Sequence, residues 1–164
     1  MKKTLLFGIL SIMISVSLIG QEQMPNRDFE EWEDLGYQNP VSWVNPNPYI
    51  AGTLQKICVF QSTDVVSGNY SVYLETQDTL AYVIPGLITY GDFIIDFINV
   101  TAWVENGIPF TDRPKALSGS YKSYPASGDF GMITVIFTKY NPDKGQRDTI
   151  ASELLTFPTV VDSW

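Results

Sequence analysis

The sequence predicts an all-β protein, an antiparallel two-sheet β-sandwich of the jelly-roll kind. Three observations predict it. Runs rich in Val, Ile, Tyr, Phe and Thr are broken at short intervals by Gly, Pro, Asn and Asp, the punctuation of many short strands. Some runs alternate in character with period two, as in a sheet packed on one side. No long stretch carries the 3.6-residue period of an amphipathic helix. Strands of this kind bury their apolar faces most economically when two sheets pack together.

The first element is not expected to belong to the fold. Met1-Lys2-Lys3 precedes an uncharged run from Thr4 to Gly20, rich in Leu, Ile and Val, with Ser15, Ser17 and Gly20 towards its end. A basic start, an apolar middle and small residues at the exit make a secretory signal peptide, so 1–20 should be removed on export. A membrane anchor is the competing reading, because a spanning helix needs about 17–25 such residues. No cysteine follows the run to carry a lipid anchor. Removing 20 of the 164 residues leaves 144, which fits one β-sandwich domain, 21–164, with a sizeable core.

A short first strand is expected over 28–32. Further strands are expected over 54–63, 70–76, 81–84, 93–104, 116–124, 131–140 and 149–156, with a partial last strand over 159–164. The clearest is 131–140, where Ile133, Val135 and Phe137 alternate with Thr134, Ile136 and Thr138. One face is wholly apolar and the other mixed. Asn141-Pro142-Asp143-Lys144-Gly145 then supplies turn chemistry, so 131–156 should be a hairpin. No internal repeat, low-complexity tract or interdomain linker interrupts the chain.

Charge and composition exclude several classes of function. The chain has ten Lys and Arg against eighteen Asp and Glu, a net charge of −8. Loss of Lys2 and Lys3 with the signal takes this to −10. Such a chain is not expected to bind nucleic acid, whose phosphates repel it, nor an anionic membrane surface. There is no histidine, so no Ser-His-Asp or Cys-His arrangement exists, and zinc would find few ligands. Cys58 is the single cysteine; within Ile57-Cys58-Val59-Phe60 it reads as a small buried hydrophobe. Acidic residues cluster at Glu30, Glu31, Glu33 and Asp34, and again at Asp92 and Asp96. Paired carboxylates are the machinery of glycoside hydrolysis, and that reading stands as an alternative to a solvated acidic surface. Asp28 and Glu30 are candidate ligands of a structural calcium ion, which takes oxygens in loose geometry. No other cofactor is called for.

Aromatic residues suggest a ligand. Sugar rings present apolar C–H faces that stack on aromatic rings. Ser120-Tyr121-Lys122-Ser123-Tyr124 sets two such rings among hydroxyls and an amine, so Tyr121, Lys122 and Tyr124 are candidate ligand-binding residues. Half-buried sheet tyrosines are the competing reading.

At these residues the sequence resembles a known family. Asn26-Arg27-Asp28-Phe29-Glu30-Glu31-Trp32 is similar to the N-G-D-F-E-x-W opening of secreted jelly-roll domains of the carbohydrate-binding-module type. Asn39-Pro40-Val41-Ser42-Trp43 resembles the P-x-x-W that follows. Ser67-Gly68-Asn69-Tyr70-Ser71-Val72-Tyr73-Leu74 is similar to their G-x-x-S-x-x-L strand. The stretch from Pro109 through Arg113-Pro114 to Ser120-Tyr121-Lys122-Ser123-Tyr124 resembles the F-x-x-R-P-x-x-L-x-G-x-Y-K-Y segment of the carbohydrate-metabolism domain family called PCMD, found in proteins exported by the type IX system. Arg27 and Ser123 depart from the family pattern. The resemblance implies a jelly roll and a non-catalytic carbohydrate-binding role. It also implies a periplasmic, outer-membrane-surface or secreted location, and a calcium held in part by Glu30. A structural or adhesive module that binds protein is the alternative role, and a glycoside hydrolase the second. The family runs on past the segment resembling 157–164, with closing strands and often a sorting domain, so the resemblance implies a C-terminally truncated sandwich.

Overall fold

The structure is a computed structural model of the chain, and it describes residues 24–79, 83–96, 99 and 101–164. The expected signal peptide, 1–20, lies outside the described residues. So do two residues of the expected strand 81–84 and three of the expected strand 93–104.

The described chain is built mostly of strands with one short helix. Its order is β1 (Trp32–Asp34), β2 (Gln38–Pro40), α1 (Asn47–Leu54), β3 (Val59–Ser62), β4 (Ser71–Leu74), β5 (Gln77–Asp78), β6 (Val83–Ile84), β7 (Asp92–Asp96), β8 (Thr101–Glu105), β9 (Gly131–Asn141) and β10 (Gln146–Phe157). Among the described residues these strands make five two-stranded sheets, each joining neighbours in sequence. The all-β expectation holds at that level.

The chain divides into two compact units. One comprises the described residues up to 60 together with those between 72 and 111; the other comprises 61–71 and 112–164.

In the first unit, the expected strand 28–32 is instead a closed turn, and β1 begins only at Trp32. Asn26 and Phe29 adopt left-handed backbone angles, φ 50° and 58°. The buried Asn26 side chain closes the loop: Nδ2 donates to the carbonyls of Glu31 and Val41, both at 2.8 Å, and Oδ1 accepts the Glu31 N–H at 2.9 Å. A side-chain amide that mimics backbone pairing in this way competes with strand formation. Trp43 packs behind the turn, stacked on Tyr90 with ring centroids 3.8 Å apart and 5.1 Å from Phe29. Its indole N–H donates to the Asn26 carbonyl at 2.9 Å. The opening motif therefore acts first as a packing motif.

The helix α1 has no counterpart in the expectations, which ran a strand from residue 54. Pro46 is its N-cap and Pro48 lies in its first turn, where a missing N–H costs nothing. Eight residues are too few to display a helical repeat. Gln55 ends the helix in a left-handed conformation, and the strand starts later, at Val59. The core forms here. Ile50, Cys58 and Val59 are buried, with Val72, Ile84 and Ile88 packed against them.

The fully buried Asn47 ties the helix to β3. Its Nδ2 donates to the Val59 carbonyl at 2.8 Å, and its Oδ1 accepts the N–H groups of Cys58 and Val59 at 2.8 and 3.2 Å. The expected single strand 93–104 is two strands. β7 and β8 pair antiparallel from Asp92↔Glu105 to Asp96↔Thr101. Asn99 donates through its N–H and its amide to the Asp96 carboxylate at 3.0 and 2.6 Å, an Asp-based turn hidden in an apolar-looking run.

In the second unit, β9 and β10 form the expected hairpin, paired antiparallel from Gln146↔Asn141 to Phe157↔Gly131, with a register shift between Thr149 and Ala151. Asn141 accepts the Asp143 N–H at 3.0 Å and donates to Asp148 at 2.7 Å. Gly145 takes φ +62°, the conformation a glycine adopts without strain. The expected strands 116–124 and 159–164 reduce to one bridge, Ser123↔Val161.

Candidate functional site

The segment carrying Tyr121, Lys122 and Tyr124 lies in the second unit and is pinned at Ser123. Ser123 is buried, and its N–H and carbonyl exchange hydrogen bonds with Val161 at 3.0 and 2.8 Å. Tyr121 packs on Phe157, with ring centroids 4.0 Å apart. Phe157 is buried and Tyr121 is 40% exposed, so Tyr121 spends one face on packing. Tyr124 is 62% exposed.

Lys122 is engaged. Its ammonium donates to both carboxylate oxygens of Asp64, at 2.9 and 2.7 Å. It also lies 4.9 Å from the centroid of the Trp164 ring, a cation–π contact. The Trp164 indole N–H donates to Asp64 Oδ1 at 2.9 Å. Hydrogen bonds from Lys122 and then from Trp164 hold the Asp64 carboxyl below the usual carboxylate range. The Lys122 side chain is largely covered while that of Asp64 is 60% exposed, so the pair contributes little to stability through charge alone.

Asp64 and Trp164 are the residues that sequence reasoning missed. They meet although 100 positions apart, and no local pattern links them. The only hint was Trp164 itself, a large aromatic at the end of the expected partial strand 159–164.

The arrangement leaves polar capacity open. A carboxylate offers about four lone-pair sites and an ammonium three N–H donors. Asp64 accepts three hydrogen bonds and Lys122 donates two. By that count Asp64 keeps one acceptor site and Lys122 one donor, and the Trp164 indole they contact is 42% exposed.

The candidate calcium ligands lie elsewhere, on the Asn26 turn of the first unit. Asp28 is exposed and Glu30 half-buried. The carbonyls of Asn26 and Phe29 on this turn accept the indole N–H groups of Trp43 and Trp32. Among the described residues no three His, Cys, Asp or Glu side chains come together to hold a metal ion. A calcium ion here would draw on these two carboxylates and on backbone oxygens.

A cleft of about 290 Å³ lies at the turn end of β9–β10, lined by Lys139, Tyr140, Asn141, Pro142, Asp148 and Ile150. Among the described residues no helix is long and apolar enough to cross a membrane. No family model, no curated protein and no solved structure matches the chain.

Proposed function

We propose that this is an exported, non-catalytic β-sandwich module of PCMD-like, jelly-roll type that binds a neutral carbohydrate through the 121–124 segment. The observation that carries the reading is the cluster of Asp64, Lys122 and Trp164, with the exposed Tyr124 two residues from Lys122 in sequence. A sugar needs a flat apolar surface for its C–H face and adjacent donors and acceptors for neighbouring hydroxyls. Trp164 and Tyr124 offer exposed rings, and Asp64 and Lys122 offer the spare acceptor and donor. The two backbone bonds between Ser123 and Val161 support the reading too, because they fix the segment before any ligand arrives. The net charge of −8 places no penalty on a neutral ligand.

The experiment is a glycan array followed by titration of the strongest binder against Tyr124→Ala and Trp164→Ala. Each truncation is expected to weaken binding by about 1–3 kcal/mol, the usual worth of a stacked aromatic in a pocket. Unchanged affinity in both variants removes the site from the reading. The calcium ion belongs to the same reading, through Asp28 and Glu30. It predicts a melting temperature that rises in millimolar calcium, falls back with chelator, and does neither in Asp28→Asn. A curve indifferent to both removes the ion.

A structural or adhesive role is the second reading. It is favoured by the exposed apolar side chains of Met132, Ile136, Leu154 and Leu155 on the hairpin.

A further inference from the structure

Charge is shared unevenly along the chain. From Ile57 to Asp112 there is no Lys or Arg. The first unit, counted from residue 24, carries ten Asp and Glu against two Lys and Arg, a net charge of −8. The second carries seven against six. Nearly all of the chain's net charge therefore sits on one unit.

Within that unit the β7–β8 ribbon sets acid around an exposed indole. Its register places Ile94 opposite Trp103 and Asp92 opposite Glu105. Residues two apart share a face of a strand, so these four side chains lie on one face. All four are exposed, Trp103 to 42%. The ribbon packs through its other face, where Phe93 is buried against Tyr49.

Two details of the exposed face point to a cation. Like charges directly opposite one another weaken a strand pair, and the ribbon holds no basic residue to offset Asp92 and Glu105. Only neutral donors reach these two carboxylates among the described residues. The Asn106 amide donates to Asp92 Oδ2 at 2.6 Å, and the Trp103 indole N–H to Glu105 Oε1 at 2.7 Å. The second detail is that same indole bond. It spends the ring's one polar handle, so what Trp103 offers a partner is its electron-rich face, which attracts a cation.

We infer that this face is a docking surface for an arginine-bearing segment of another protein, with a guanidinium stacked on Trp103 and forked to the Asp92 and Glu105 carboxylates. Charge complementarity selects the partner. A unit of net charge −8 steers basic chains towards it and turns acidic ones away. Arginine fits better than lysine, because its planar, weakly hydrated guanidinium stacks on an aromatic face and pairs with carboxylates in the same pose. The patch is a few side chains wide, so the contact is transient and salt-sensitive. It lies in the first unit and does not depend on the saccharide reading of the second.

The test is fluorescence anisotropy of labelled hexa-arginine and hexa-lysine peptides with the exported chain, at low and at physiological ionic strength. Hexa-arginine should bind several-fold more tightly than hexa-lysine. Trp103→Ala should weaken it at least about fivefold, and Asp92→Asn with Glu105→Gln at least about tenfold. Glu33→Gln with Asp34→Asn removes the same charge from β1 and should cost less than about threefold. All of these side chains are exposed, and circular dichroism checks that each variant folds. A second readout is stability. Relieving the like-charge pair should leave the melting temperature of the Asp92→Asn, Glu105→Gln variant equal to or above that of the wild type. No binding at low ionic strength, hexa-lysine bound as tightly as hexa-arginine, affinity unchanged in Trp103→Ala, an equal loss in the β1 variant, or a melting temperature lowered in the double variant would each overturn the inference.

Discussion

Replacing Asn47 with Ala is expected to be among the most damaging single changes in the first unit. The side chain is 0% exposed and serves three buried backbone groups at once: the carbonyl of Val59 and the N–H groups of Cys58 and Val59. Cys58 and Val59 are themselves 0% exposed, so water does not replace the lost amide without opening the core. An orphaned buried donor or acceptor costs about 1–3 kcal/mol. Three such groups, with partial relaxation, give a loss of roughly 3–6 kcal/mol.

Domains of this size have only about 5–15 kcal/mol in total. For a chain of this length the loss corresponds to a fall in melting temperature of roughly 10–20 °C. Urea denaturation followed by circular dichroism measures it, with Ile50→Val as a control in the same cluster, expected to cost about 0.5–1.5 kcal/mol. A loss for Asn47→Ala no larger than that of the control would refute the reasoning, because it would show the three backbone groups finding other partners.

Other consequences are testable in the same preparations. An added Cβ at Gly86 would sit 2.5 Å from the Glu75 backbone nitrogen and 2.9 Å from the Cys58 carbonyl oxygen, so Gly86→Ala should cost about 1–3 kcal/mol in a urea melt. Burial pushes the Cys58 thiol up to about 11. A thiol reagent at pH 8 should therefore find none in the native protein and one per chain in denaturant. The Asp64 carboxyl is depressed from its ordinary 3.8 by its hydrogen bonds with Lys122 and Trp164. Its contribution is complete above that ordinary value and is lost as pH falls through the lower folded value. Tryptophan fluorescence should show an acid transition that Asp64→Asn abolishes; an identical titration in the variant would contradict the assignment.

Much of the architecture was legible in the sequence, and the parts that were not share a cause. The β9–β10 hairpin stood out because period-two alternation met an Asn-Pro-Asp-Lys-Gly turn, both local signals. Cys58 read correctly as a buried hydrophobe from its apolar neighbours. The 28–32 segment looked extended because the Asn26 side chain, which bends it, acts through contacts with Glu31 and Val41. Helix α1 was hidden by its two prolines and its eight-residue length. The break between β7 and β8 was hidden because 93–104 reads in sequence as one apolar run. At the candidate site Tyr121, Lys122 and Tyr124 were visible as a motif. The partners of Lys122, Asp64 and Trp164, were not, because long-range side-chain pairing leaves no mark on spacing.

The central claim is that Asp64, Lys122, Tyr124 and Trp164 form one saccharide-binding surface. Calorimetric titration of the best glycan from an array against wild type and Trp164→Ala tests it most directly. Saturable binding by the wild type, weakened about tenfold or more in the variant while the melting temperature stays within a few degrees, is the predicted result. Binding that survives Trp164→Ala unchanged, or a wild type that binds no glycan on a broad array, would contradict it.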